Sequence, residues 1–252
     1  MLAATSVTDV AAVVSTCLVA GAANALAGGG SLVSYPTMVA VGLSPVTANV
    51  SNTLALWPGY VSGAASLRHR LAEADGSLTR YAIAASLGAV GGTVLLLAGN
   101  PDVFEALVPY LVILSALLLA IPEPWVEQLR KGRLGRGRAG ALAMVALAGV
   151  YGAYFGGALG VILLAVLNAF VGSSLRSLNA MKAVLSLLIN SVALVAFVGF
   201  GPVAWWAVAA GGPASALGGI TGGRLADRVP ATALRRAVVI VGLTAGVALL
   251  LT

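Results

Sequence analysis

The chain has 252 residues, of which 60% are hydrophobic and 9% charged, with a mean hydropathy of +1.01; soluble domains carry about 25% charge, so water is excluded as its solvent. The net charge of +6 lies between apolar runs, where positive-inside bias puts basic residues, and this argues against nucleic acid as a partner. One cysteine, Cys17, excludes an internal disulfide and a multi-cysteine metal site and reads as a small buried apolar residue.

In chain order, apolar runs between polar or Pro/Gly breaks predict helices over 7–27, 31–41, 45–67, 78–98 and 103–121. A second set follows at 139–155, 159–171, 175–199, 203–223 and 232–251. The first run resembles a signal peptide's apolar region, but Asp9 precedes it in place of a basic residue, and a matching segment recurs inside the chain. It is therefore expected to be mature helix. The second segment of each set is too short for a comfortable span and could be re-entrant or the second limb of a broken helix.

The two sets repeat one another. Gly28-Gly29 returns as Gly156-Gly157, 128 residues on, and after a two-residue insertion the offset is 130 for Gly42/Gly172, Asn49/Asn179, Gly88/Gly218 and Gly92/Gly222. Two copies of a glycine-broken apolar unit outline a secondary transporter whose site lies between the repeats. The predicted units are a first repeat at 1–121, a cytoplasmic linker at 122–138 and a second repeat at 139–252. The linker, PEPWVEQLRKGRLGRGR, reads as a solvated segment that fixes topology, or alternatively as an anionic-lipid patch.

Charge sets the orientation. The loops at 68–80, 122–138, 172–176 and 224–236 are basic, whereas the 100–105 turn is acidic and the 199–202 turn uncharged. All basic loops fall inside if the segments at 7–41 and 139–171 each enter and leave on one side. The fold class expected is then an all-α polytopic membrane protein of two inverted repeats. Each is a glycine-broken or re-entrant hairpin followed by three spans, with both termini outside the bacterial inner membrane.

Three glycines in NALAGGGSLVSYP weaken the helix, so it should stop near Gly28, Gly29 and Gly30 and restart at Ser31. A restarted helix presents unpaired N–H groups and a positive dipole end, which suit an anion, and Ser31, Ser34 and Tyr35 add donors. The second copy keeps Gly156 and Gly157, has Tyr151 and Tyr154 nearby, and carries Ala158 and Leu164 where the first has Gly30 and Pro36. The alternative is that these glycines only permit close helix packing.

Asn49, Asn52, Thr53 and Tyr60 share one face of the next span, and Asn179, Lys182, Ser186 and Asn190 share the corresponding face in the other copy. Polar side chains stacked in apolar surroundings look inward, at partner helices or a wet cavity. An ammonium inside the membrane costs about 3 kcal/mol, so Lys182 either serves the site or snorkels to the interface. The pairs Gly88/Gly92 and Gly218/Gly222 suit packing within the chain or a homodimer face.

All eight carboxylates lie at helix ends or in loops, and the one histidine, His69, is in a basic loop. Metal centres, hydrolytic triads and buried acidic cation sites therefore lack raw material, and neither enzymatic chemistry nor a cofactor is expected.

The chain resembles the TauE/SafE sulfite exporter family. The resemblance rests on Gly21 to Pro36 with its glycine cluster, on Gly42 followed by Ala48-Asn49 and Thr53, and on the repeat at Gly156-Gly157 with Asn179. It covers essentially the whole chain and implies export, or sometimes uptake, of sulfite or organosulfonates. The expectation is a secondary transporter for a small oxyanion, the rivals being a carrier for another solute or a membrane-embedded accessory subunit.

Overall fold

The computed structural model describes residues 6–26, 28–67, 78–121, 137–171, 174–225 and 231–251. Most of the linker, His69 with its loop, Gly172 and the 226–230 segment lie outside the described residues. Within them the secondary structure is ten helices and no strand. The first half contains α1 (Val7–Leu26), α2 (Ser31–Ala40), α3 (Pro45–Leu67), α4 (Leu78–Ala98) and α5 (Pro101–Ala120). The second contains α6 (Arg138–Tyr154), α7 (Leu159–Phe170), α8 (Leu175–Phe200), α9 (Trp205–Leu225) and α10 (Ala231–Leu251).

Five helical stretches are long and apolar enough to cross a membrane: Val7–Leu26, Leu78–Ala98, Pro101–Ala120, Arg176–Phe200 and Thr232–Leu251. By contrast α2 and α7 have 10 and 12 residues. At 1.5 Å per residue they reach about 15 and 18 Å, roughly half the hydrocarbon thickness.

Local chemistry sets several ends. Asn100 caps α5 by accepting a hydrogen bond from the Asp102 amide, with Pro101 in the first position. The helix thus begins two residues before the expected 103. Ser174 caps α8 through the Ser177 amide. At the other end of α5 the Arg235 guanidinium, from α10, donates to the Leu119 and Ile121 carbonyls that the helix leaves unpaired.

The halves are interleaved rather than side by side. The first helix of each half packs on the fourth of the other, α1 on α9 and α6 on α4, and glycine makes both crossings close. A Cβ at Gly88 would stand 2.0 Å from the Ala146 carbonyl oxygen, and one at Gly218 would stand 2.0 Å from that of Leu18. Gly92 meets the Val150 carbonyl as Gly222 meets that of Ala22, and Gly149 meets Ala85 as Gly21 meets Ser215. In every pair the fourth-helix partner is shifted by 130 and the first-helix partner by 128, the two offsets of the sequence repeat. These glycines are therefore used inside the chain, which answers the choice between internal packing and a homodimer face for these residues. Cys17 fits the same pattern, buried against Gly211 of α9.

Ile83, Leu87, Val90 and Val94 on α4 and Leu107, Tyr110 and Leu114 on α5 are exposed, forming an apolar outer face of the kind lipid covers. Most of the buried polar residues lie instead on α2, α3 and α8, with Thr93, Ser115, Asn168 and Ser215 on other helices.

Candidate substrate site

Both helix breaks fall where the glycines require them. Gly28 and Gly29 have φ of 83° and 86° and reverse the chain between α1 and α2; Gly156 has φ of 79° between α6 and α7. The second break also holds Ala158 at φ 54°, a left-handed conformation that a side chain adopts only against about 1–2 kcal/mol. It occupies the position of Gly30, which in the first copy is right-handed. The two breaks are thus equivalent in place and different in path.

The amides at the start of α2 are less available than a free helix end suggests. The Gly30 N–H donates to the Asn24 side-chain oxygen at 2.8 Å, and those of Leu32 and Val33 donate to the carbonyls of Gly29 and Gly30. In α7 the Leu159 and Val161 amides are engaged by Gly156 and Ala158. Short-range bonds that tighten the first turn have consumed these donors. These amides are therefore not free to meet a ligand.

A narrow cavity is lined by Asn24, Gly28, Gly59, Tyr60, Gly63, Gly160, Lys182 and Ser186, with alanines 25, 64 and 183. Its volume of about 10 Å³ is on the order of one water-sized probe. Lys182 is 2% exposed, and its Nζ has no hydrogen-bond partner among the described residues. Of the two readings of this lysine, snorkelling is set aside, because the side chain turns into the protein. A Cβ at Gly160 would stand 3.5 Å from its Cδ and 3.1 Å from the Gly28 Cα, so its stem runs beside the contact of the two breaks.

Of the residues singled out from sequence, Gly28, Lys182 and Ser186 line this cavity. Ser31 and Asn190 adjoin it through Tyr60, whose hydroxyl interacts with both side chains, and the Asn190 amide donates to the Ser186 carbonyl at 2.8 Å. A second group gathers at the other break. Asn49 Nδ2 donates to the Tyr154 carbonyl at 2.9 Å, the Tyr35 ring packs edge-on against Phe155, and Ser34 donates to Asn52 Oδ1 at 2.6 Å.

The remaining candidates do not reach the cavity lining. A Cβ at Gly29 would meet Leu119, and one at Gly157 would meet Ser115 and Phe155, so these two glycines admit neighbouring side chains. The Thr53 hydroxyl donates back to the Asn49 carbonyl on its own helix, and Asn179 is half-buried. Sequence reasoning passed over Asn24, Gly160 and the small residues Gly59 and Gly63. The signal for α3 was a GxxxG spacing opposite Lys182, visible as Gly59 and Gly63.

A helical protein with apolar spans, two broken helices and a buried polar cavity between them belongs to the class of polytopic membrane transporters. The comparisons make this specific: residues 13–249 match the profile described as Sulfite exporter TauE/SafE, and the chain belongs to that family. It is 27% identical over 213 residues to the probable membrane transporter protein YfcA of Escherichia coli K12, covering 84% of this chain and 77% of that protein. A probable membrane transporter of Haemophilus influenzae is 26% identical over 187 residues, covering 74% and 73%. Another, ORF9 of a Sinorhizobium species, is 26% identical over 232 residues, covering 92% and 88%. No solved structure gives a significant match.

Proposed function

We propose that this TauE/SafE transporter exports a small sulfur-containing oxyanion, sulfite or an organosulfonate, across the bacterial inner membrane by alternating access between inverted repeats. The observation that carries the reading is Lys182, a buried cationic side chain with no partner among the described residues, in a cavity whose described lining has no carboxylate. An unpaired buried charge is costly, and an anion arriving there removes that cost. The inversion is supported by the basic loops, and the interleaved crossings support the equivalence of the two halves. Two equivalent halves related in that way can rock about a shared site.

Without an acidic residue on the cavity wall, the simplest energetics is anion efflux down the inside-negative potential. That supplies about 2.3 kcal/mol per charge per 100 mV. At its present volume the cavity must widen to admit four or more heavy atoms.

The test is flux of radiolabelled sulfite and of organosulfonates from proteoliposomes with the potential clamped. The expected result is saturable efflux that rises as the interior is made negative. Flux no faster than from protein-free liposomes for every sulfur oxyanion would refute the substrate assignment.

A further inference from the structure

Asn24 differs from the other polar residues of the cavity in having one end of its side chain fixed. An asparagine amide offers an oxygen that accepts and a nitrogen that donates, and shape alone does not distinguish them. Here the partner decides: the Gly30 backbone N–H is a donor, so the atom 2.8 Å from it is the oxygen. The left-handed turns at Gly28 and Gly29 take Gly30 away from regular helical pairing with α1, and its amide finds Asn24 instead. The amide nitrogen must then face the other way. It is shielded from solvent, has no partner among the described residues, and belongs to a residue of the cavity wall.

We propose that Asn24 is a specificity residue for the transported anion, its Nδ2 forming, beside the Lys182 Nζ, the second of two converging donors. The inference rests on the reading of this cavity as the transport site. Both nitrogens are buried and unpartnered, and the other polar side chains of the wall, Tyr60 and Ser186, bear hydroxyls that can also donate. An oxyanion satisfies all of them as acceptor. A cation or a donor-rich neutral solute satisfies neither nitrogen, and leaving buried donors unpaired is what makes discrimination large. The Gly30 contact does the further work of preventing rotation, since a flipped amide would set its nitrogen against a backbone N–H.

The variant that keeps the acceptor for Gly30 and removes the donor is Asn24→Asp. A carboxylate keeps an oxygen for the Gly30 N–H, so the break is preserved, but it replaces the donor facing the cavity with a negative acceptor. Binding of sulfite and of methanesulfonate to purified wild-type and variant protein, by titration calorimetry, is the measurement, with thermal unfolding as the control for folding. The expected result is unfolding at or above the wild-type temperature and affinity for both anions lowered by about tenfold or more.

Wild-type binding with unchanged affinity in Asn24→Asp overturns the role of Asn24 and leaves the transport reading intact. Absence of binding of either anion to wild-type protein overturns both. Asn24→Ala, measured alongside, removes the donor without adding charge and should also bind both anions more weakly, and unchanged affinity in its monodisperse fraction likewise overturns the proposal.

Discussion

Gly28, in the break between α1 and α2, packs backbone to backbone against Gly160, in the first turn of α7. A Cβ on Gly28 would stand 3.0 Å from the Gly160 Cα, and a Cβ on Gly160 would stand 3.1 Å from the Gly28 Cα. The two halves therefore touch at their interruptions, with no side chain between them. The Lys182 stem lies directly beside this contact.

Gly160→Val tests that contact. Gly160 has ordinary helical backbone, so the effect is steric and not conformational. Overpacking of this kind costs about 1–3 kcal/mol. The variant should insert and remain monodisperse while flux per inserted molecule falls severalfold, because the breaks can no longer close on one another. Wild-type flux would mean that the Gly28–Gly160 contact plays no part in the cycle.

The interleaved crossings make a paired stability prediction. Gly88→Ala and Gly218→Ala each place a methyl 2.0 Å from a carbonyl oxygen of the facing helix, so backbone must move in both. Each should lower the thermal unfolding midpoint in detergent, by amounts close to one another, through a loss of about 1–3 kcal/mol. A large effect at one glycine and none at its counterpart would break the equivalence of the two crossings.

Much of this arrangement was legible in the residues. Gly28 and Gly156 are φ-positive because two breaks were written as glycine runs, and α3 and α4 begin and end where polar or proline residues interrupt apolar sequence. What the sequence could not convey was non-local. Gly28 rather than Gly29 faces the cavity because of where the reversed chain meets α7, and Gly29 is left to admit Leu119. Asn24 escaped notice because its role depends on an amide six residues on that only a doubled-back chain delivers. Ala158 has no local signal for a left-handed conformation; its burial at 0% exposure shows that packing holds it there.

Orientation is the next expectation. The basic loops place both termini outside and the 122–138 linker in the cytoplasm. Reporter fusions at the C-terminus and at Gly132 should accordingly report the periplasm and the cytoplasm. A cytoplasmic C-terminus would remove the inversion, although the internal equivalence of the crossings would stand.

Lys182 carries the sharpest expectation. Its counterpart in the first half is Asn52, whose side-chain oxygen is already taken by Ser34, so the pseudo-equivalent position is neutral and satisfied while Lys182 is cationic and unsatisfied. That asymmetry puts the one charged side chain of the described lining on one half. Lys182→Gln removes the charge and keeps an N–H donor, on a side chain one bond shorter that also carries an acceptor oxygen. The affinity for sulfite should fall by about 1–3 kcal/mol, the range for a charge-assisted contact, which is roughly fivefold to 150-fold. Stability in the absence of anion should hold or rise, since an unpaired buried ammonium no longer has to be accommodated. Calorimetric binding and thermal unfolding of wild-type and Lys182→Gln protein measure the two effects separately. Equal affinities would transfer recognition to Asn24 and the hydroxyls of Tyr60 and Ser186, and would leave the burial of the lysine to packing of its stem along Gly160.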